Sequence, residues 1–269
     1  MRFFNILISC VFVFILISAV AFAKPGPYVK VLLVAGKAEF LTAGKTDWEE
    51  LKRGTYLYSG DSIKTYRDSS VEIGFEWGTE NILSVRPNTH VVIKLAGKEK
   101  IELIDGEVYA LVESLPKGST FEIRTPTAVC GARGTGWGAK ANKNQTTVSA
   151  YDKNSYAKGL NKDGSVMEDN MTVPEGFETI VERFMKPAGL TKISLQKVGL
   201  WDDWKNAILE YLSGKVTLER LAKNLEKIQK QKEKIEELHD RDRIDKRTEK
   251  KGAGTGTSGI QPSEEICER

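Results

Sequence analysis

The chain has 269 residues, with 40 basic and 37 acidic side chains and a formal net charge of +3. That balance excludes a general electrostatic pull toward nucleic acid, so no nucleic-acid partner is expected. The length allows one sizeable domain with an appendage.

The chain starts Met1-Arg2, and a nearly unbroken apolar run covers Ile6 to Ala23. A short positive segment, a long apolar segment and the small-residue pattern Ala21-Phe22-Ala23 make residues 1–23 a signal peptide, with cleavage expected after Ala23. Cleavage takes Arg2 away and lowers the formal charge by one, to +2. The alternative is an uncleaved anchor, because about 18 apolar residues just span a bilayer. The rest of the chain is expected to be periplasmic or secreted, with a membrane partner only if the leader stays. Cys10 lies in the leader, so Cys130 and Cys267 remain, read as unpaired thiols with Cys130 a small buried hydrophobe.

From Tyr28 to about Phe184 the hydropathy period is two. Val71, Ile73, Phe75 and Trp77 alternate with Glu72, Gly74 and Glu76, the pattern of a strand with one buried face. Ile101/Leu103, Val108/Ala110/Val112, Phe121/Ile123 and Val148/Ala150 repeat it. Turn signals fall between them, among them Gly60-Asp61, Arg67-Asp68-Ser69, Pro87-Asn88 and Asp105-Gly106, about every 8–12 residues. Residues 28–184 are therefore an all-β domain, a β-solenoid or β-roll of short strands, with a β-sandwich as the alternative.

Residues 200–251 read as a charged amphipathic helix. Leu218, Leu221, Leu225, Ile228 and Ile235 share one face, and Glu219/Lys223 and Glu226/Lys230 are acid-before-base pairs four apart. The apolar stripe then fails at Lys232, His239 and Asp242, which is short of a sustained coiled coil. Residues 252–269 are a Gly/Thr/Ser-rich disordered tail.

Little in the chain carries chemistry. His90 and His239 are the two histidines, no His/Cys/Asp/Glu cluster has metal-ligand spacing, and neither metal nor cofactor is expected. Arg124 to Gly138, RTPTAVCGARGTGWG, concentrates glycines around Cys130, but its order is neither G-x-G-x-x-G nor a P-loop, so it does not cradle phosphate. A nucleophilic Cys130 needs an activating histidine, and only His90 is available in the β region. No catalytic residue is assigned, and the protein is read as no enzyme.

The ordered series of motifs resembles one family. Trp48-x-x-Leu51-x-x-Gly54 is followed by Gly60-Asp61-x-Ile63-x-Thr65, by Pro87-Asn88-Thr89, and by Thr125-Pro126-Thr127-Ala128 with Gly131-Ala132-Arg133-Gly134-Thr135-Gly136-Trp137. This resembles the FecR domain, over about Val31 to Phe184, with Trp137 where that family usually has phenylalanine. The resemblance implies an all-β domain without known catalytic residues. It makes Gly60, Asp61, Thr65, Thr125, Pro126, Arg133, Gly134 and Thr135 structural motif positions. Arg133 and Trp137 are the binding candidates, Val129 and Trp137 are expected to point inward, and Arg133→Ala is expected to destabilise the fold. Regulators of the family reach a cytoplasmic sigma factor through an N-terminal cytoplasmic segment, and only MRFFN precedes the apolar run here, so no sigma factor is expected. The expected function is a non-catalytic binding, signalling or assembly module of the cell envelope, meeting an envelope protein or a glycan. The alternatives are a helix-mediated oligomerisation adaptor and an envelope glycan hydrolase.

Overall fold

The computed structural model describes residues 26–75, 81–113, 115, 120–132 and 134–252. The leader, Trp77, Arg133 and the tail from residue 253 lie outside the described residues. The chain divides into two compact units, one ending at Lys192 and one starting at Ile193.

The first unit is built of β1 (Tyr28–Ala35), β2 (Ala38–Leu41), β3 (Glu49–Glu50), β4 (Tyr56–Tyr58), β5 (Ser62–Thr65), β6 (Ser70–Phe75), β7 (Asn81–Val85), β8 (His90–Ile93) and β9 (Glu99–Val112). These are followed by β10 (Phe121–Arg124), β11 (Ala128–Ala132), β12 (Gly136–Ala141), β13 (Gln145–Asp152), β14 (Ser155–Gly159), β15 (Met171–Val173), β16 (Phe177–Glu182) and β17 (Thr191–Lys192). Two ladders result. The first runs β4-β1-β6-β7-β9-β12-β13-β16-β17. The second runs β3-β2-β5-β8-β9-β10-β11-β14-β15. Pairing is antiparallel except between β9 and β10. The all-β class holds, while the pairing leaves a solenoid unconfirmed.

One core lies between the ladders. Val71, Ile73, Leu83 and Val85 from the first meet Ile63, Val91, Ile101 and Leu103 from the second, each essentially inaccessible to solvent. Phe75 and Phe121 join the two, with ring centroids 5.0 Å apart and planes at 89°, the edge-to-face arrangement that aromatic quadrupoles favour. The alternation read in β6 holds on its core face. Its other face is buried too, and there Glu72 accepts a hydrogen bond from the Ser84 hydroxyl at 2.8 Å.

The chain passes between ladders at two corners of one design. In each, two paired strands bend together, one at a glycine and the other at a left-handed residue followed one position later by a serine or threonine. Gly36 (φ 73) faces Asp68 (φ 56), and Ser69 Oγ accepts from Lys37 N at 2.8 Å while donating to Arg67 O at 2.9 Å. Gly106 (φ 103) faces Asn88 (φ 52), and Thr89 Oγ1 accepts from Glu107 N at 2.9 Å, with Pro87 O 3.1 Å away as acceptor. Asp and Asn tolerate the left-handed region better than most side chains, and a hydroxyl both donates and accepts, so one residue type satisfies both strands. A looser third corner sets Gly176 against Lys153, clasped by Glu175 Oε2 accepting from Lys153 N at 3.0 Å.

In the second unit the single helix expected from residue 200 is two helices, α1 (Leu195–Leu212) and α2 (Leu218–Gly252). Ser194 caps α1 by accepting from Lys197 N at 3.3 Å, and Ser213-Gly214 ends it, with Gly214 at φ 72. Leu221, Leu225 and Ile228 of the expected stripe are buried. The Glu219/Lys223 and Glu226/Lys230 pairs form at 3.0 and 2.6 Å. No described helix is long and apolar enough to cross a membrane.

Candidate functional site

The motif positions sit in turns and clasps. Asp61, almost fully buried after Gly60 (φ 98), accepts from Ala43 N through Oδ1 and from Tyr58 N through Oδ2, both at 2.8 Å. Thr65 ties β5 to the turn after β7, accepting from Thr89 N at 3.0 Å and donating to Arg86 O. Thr135 is buried behind Gly134, and its carbonyl accepts from Val112 N at 3.1 Å.

The Thr125-Pro126-Thr127 turn between β10 and β11 is a hydroxyl relay. Pro126 is exposed where no ladder donor is needed. The Thr127 hydroxyl donates to Val181 O at 3.0 Å, which uses its one proton. Thr146 Oγ1, at 2.7 Å, therefore donates to Thr127, and Thr125 Oγ1, also at 2.7 Å, donates to Thr146. Thr125 in turn accepts from Ala128 N at 2.9 Å. The relay joins β11 of one ladder to β13 and β16 of the other. Thr146→Val keeps the shape and takes one hydrogen-bond partner from each neighbour, so we expect a loss of about 1–3 kcal/mol in urea unfolding, with Thr146→Ser close to the parent.

Trp137 is wholly buried in the core, with no face open to a ligand. Arg133, the other binding candidate, lies outside the described residues. Core packing on β11 falls to Ala128 and Cys130 rather than to Val129, which is buried outside the main cluster. Burial pushes the Cys130 thiol far above its usual range, so it supplies no thiolate. Among the described residues, no group of three or more His, Cys, Asp or Glu is placed to hold a metal.

The chemistry that is on view lies on the outward side of the second ladder. Pairing sets Glu39, Lys64, His90 and Asp105 in one row across β2, β5, β8 and β9. Trp48, from the connection before β3, lies over this row, with its ring centroid 5.7 Å from that of His90 at 73° and the Lys64 ammonium 4.0 Å from it. Beside them the Lys37 ammonium sits 4.4 Å from the Tyr66 ring and 3.0 Å from Glu39 Oε1, and the Tyr66 hydroxyl donates to Glu39 Oε2. That hydroxyl, then Lys37, lowers the Glu39 carboxyl, and Glu39 raises both Tyr66 and Lys37. Burial first, and Lys64 second, lower His90, which favours the neutral ring. His90 Nε2 is buried without a hydrogen-bond partner among the described residues. The result is a half-buried aromatic and cationic surface suited to recognition. The sequence signal was slight. The one cue was Trp48 alone in the polar run Thr46-Asp47-Trp48-Glu49-Glu50.

Residues 61–152 match the family model described as FecR protein, so the chain carries a FecR domain. The strands continue past that match to Lys192. Among solved structures, similarity is found to two determinations, at 2.50 and 1.65 Å, of a candidate anti-sigma factor from Parabacteroides distasonis ATCC 8503. Each is 17% identical with a TM-score of 0.42, over 53% of this chain and 64% of theirs, so this chain spans less than two thirds of their length. No curated protein matches. The FecR match supports a signalling-related envelope protein and suggests a regulatory non-enzyme. It also corrects one expectation: the FecR match points to a sigma-factor regulatory role, against the exclusion of a sigma factor. That exclusion rested on the length of the segment before the apolar run. A regulatory role does not depend on that segment, because it can also be exercised through other proteins.

Proposed function

We propose that the protein is an extracytoplasmic, non-catalytic regulatory module that binds an envelope protein through the Trp48–Lys64–His90 surface, in a pathway that controls a sigma factor. The apolar leader supports the location, and the FecR domain supports the pathway. The surface itself carries the binding reading, because it gathers an aromatic ring, cations and a half-buried imidazole on a ladder face. Lys64 covers the Trp48 ring at 4.0 Å, which favours a protein partner over a glycan, since a sugar stacking on that ring has to displace the ammonium. Large aromatic side chains with neighbouring polar groups dominate protein recognition.

The test is capture from envelope extract with the intact protein beside its Trp48→Ala and Lys64→Ala variants. A specific protein retained by the parent, and retained at least tenfold less by Trp48→Ala at unchanged melting temperature, is the expected result. Equal retention by parent and variants refutes the surface assignment.

A further inference from the structure

A second exposed cluster lies at the β4 edge of the first ladder, apart from the Trp48 surface. Register places Tyr28 beside Tyr58, and Lys30 beside Tyr56. Tyr56 and Tyr58 are 47% and 43% exposed, while Leu57 between them is fully buried. Tyr28 packs edge-on against Tyr56 at 5.1 Å, and the Lys30 ammonium lies 5.6 Å from the Tyr56 ring. Three tyrosines and a lysine on the short outer strand β4 and its neighbour β1 form a surface that is apolar in body and polar at its tips.

The position of this cluster in the chain argues for its occupant. Only Lys24-Pro25-Gly26-Pro27 separate the apolar run Ile6–Ala23 from Tyr28. Four residues reach about 14 Å at most, so if the run is held in a bilayer, the start of β1 stays at that bilayer's surface. Tyrosine is enriched at the membrane–water interface, where its ring meets the acyl boundary and its hydroxyl the headgroups, and lysine there extends its stem toward the phosphates.

We propose that the Tyr28–Tyr56–Tyr58–Lys30 edge rests on the surface of the bilayer that holds the apolar run, which is retained instead of being cut after Ala23. The edge orients the β unit, with β4 toward the membrane and β17, eight strand spacings of ~4.8 Å along the ladder, away from it. The occupant is the lipid surface, and the protein partner proposed above is not involved.

The test uses the full chain, with Cys10→Ser and Cys267→Ser, in nanodiscs of phosphatidylethanolamine and phosphatidylglycerol carrying doxyl-labelled lipid. A bimane label is placed at Ser59→Cys, beside the edge, or at Lys192→Cys, at the far end. Both positions are exposed and Cys130 is buried, so labelling is selective. Quenching at residue 59 at least twice that at residue 192, reduced when Tyr56→Ser and Tyr58→Ser are added, supports the proposal. Equal quenching at the two sites, or none at either, overturns it, as does a natural protein whose intact mass lacks residues 1–23.

Discussion

Trp137→Ala is expected to destabilise the β unit by about 3–5 kcal/mol, the usual range for deleting a fully buried tryptophan. The site explains the size. Trp137 has no solvent exposure, and its direct neighbours across the ladder are Ala110 on β9 and Ala150 on β13. Two alanines make the room that the indole fills, and neither can extend into the space it leaves. At roughly 2–4 °C per kcal/mol for a unit of this size, the melting temperature should fall by about 10 °C. Trp137→Phe should cost less than half as much. It keeps a ring in the gap, and it removes an indole N–H that has no hydrogen-bond partner among the described residues. Calorimetry on the two variants checks both numbers. An Ala variant within 1 kcal/mol of the parent would remove Trp137 from the core and reopen it as a recognition residue.

The parts of this fold legible in the sequence are those governed by local period. The alternation in β6, β10 and β13 named the core residues Ile73, Phe121, Ile123 and Val148, because one buried face imposes period two. The stripe on α2 was legible for the same reason at period 3.6. Ladder crossing was less so. Asp105-Gly106 read as a turn separating two strands, yet β9 is one strand of 14 residues that bends there and serves both ladders. A glycine at positive φ has the same local signature whether the chain reverses or only bends, and the decision rests with Thr89, seventeen positions earlier. The Ser213-Gly214 break was readable, with a glycine just past a helix end and Thr217 ready to cap the next, but the apolar stripe and the acid–base pairs on α2 read as one continuous helix. The Trp48 surface was least legible. Residues 48, 64 and 90 meet only through the β2-β5-β8 register, and long-range register is not written in any local window.

Gly106→Ala gives the sharpest test of the corner design. Two costs are separable there. One is conformational, because Gly106 sits at φ 103, where a side chain is strained by about 1–3 kcal/mol. The other is steric, because a Cβ at this position would lie 2.3 Å from Thr89 Oγ1 and 2.6 Å from Thr89 Cα. Relief requires Thr89 to move, which takes the acceptor from Glu107 N and adds about 1–3 kcal/mol. Gly97 isolates the first cost, since it has φ 85 but nothing within 4 Å of a Cβ. We therefore expect Gly106→Ala to lose at least twice as much stability as Gly97→Ala in denaturant unfolding. Gly36→Ala should fall with Gly106→Ala, because its Cβ would lie 2.5 Å from Ser69 Oγ and 2.8 Å from Asp68 O. Adding Thr89→Ala should not rescue Gly106→Ala, because the contact with the Thr89 backbone remains and the clasp is gone as well. A rescued double variant would mean that the hydroxyl alone blocks the position, and that the paired bend does not depend on close approach of the two backbones.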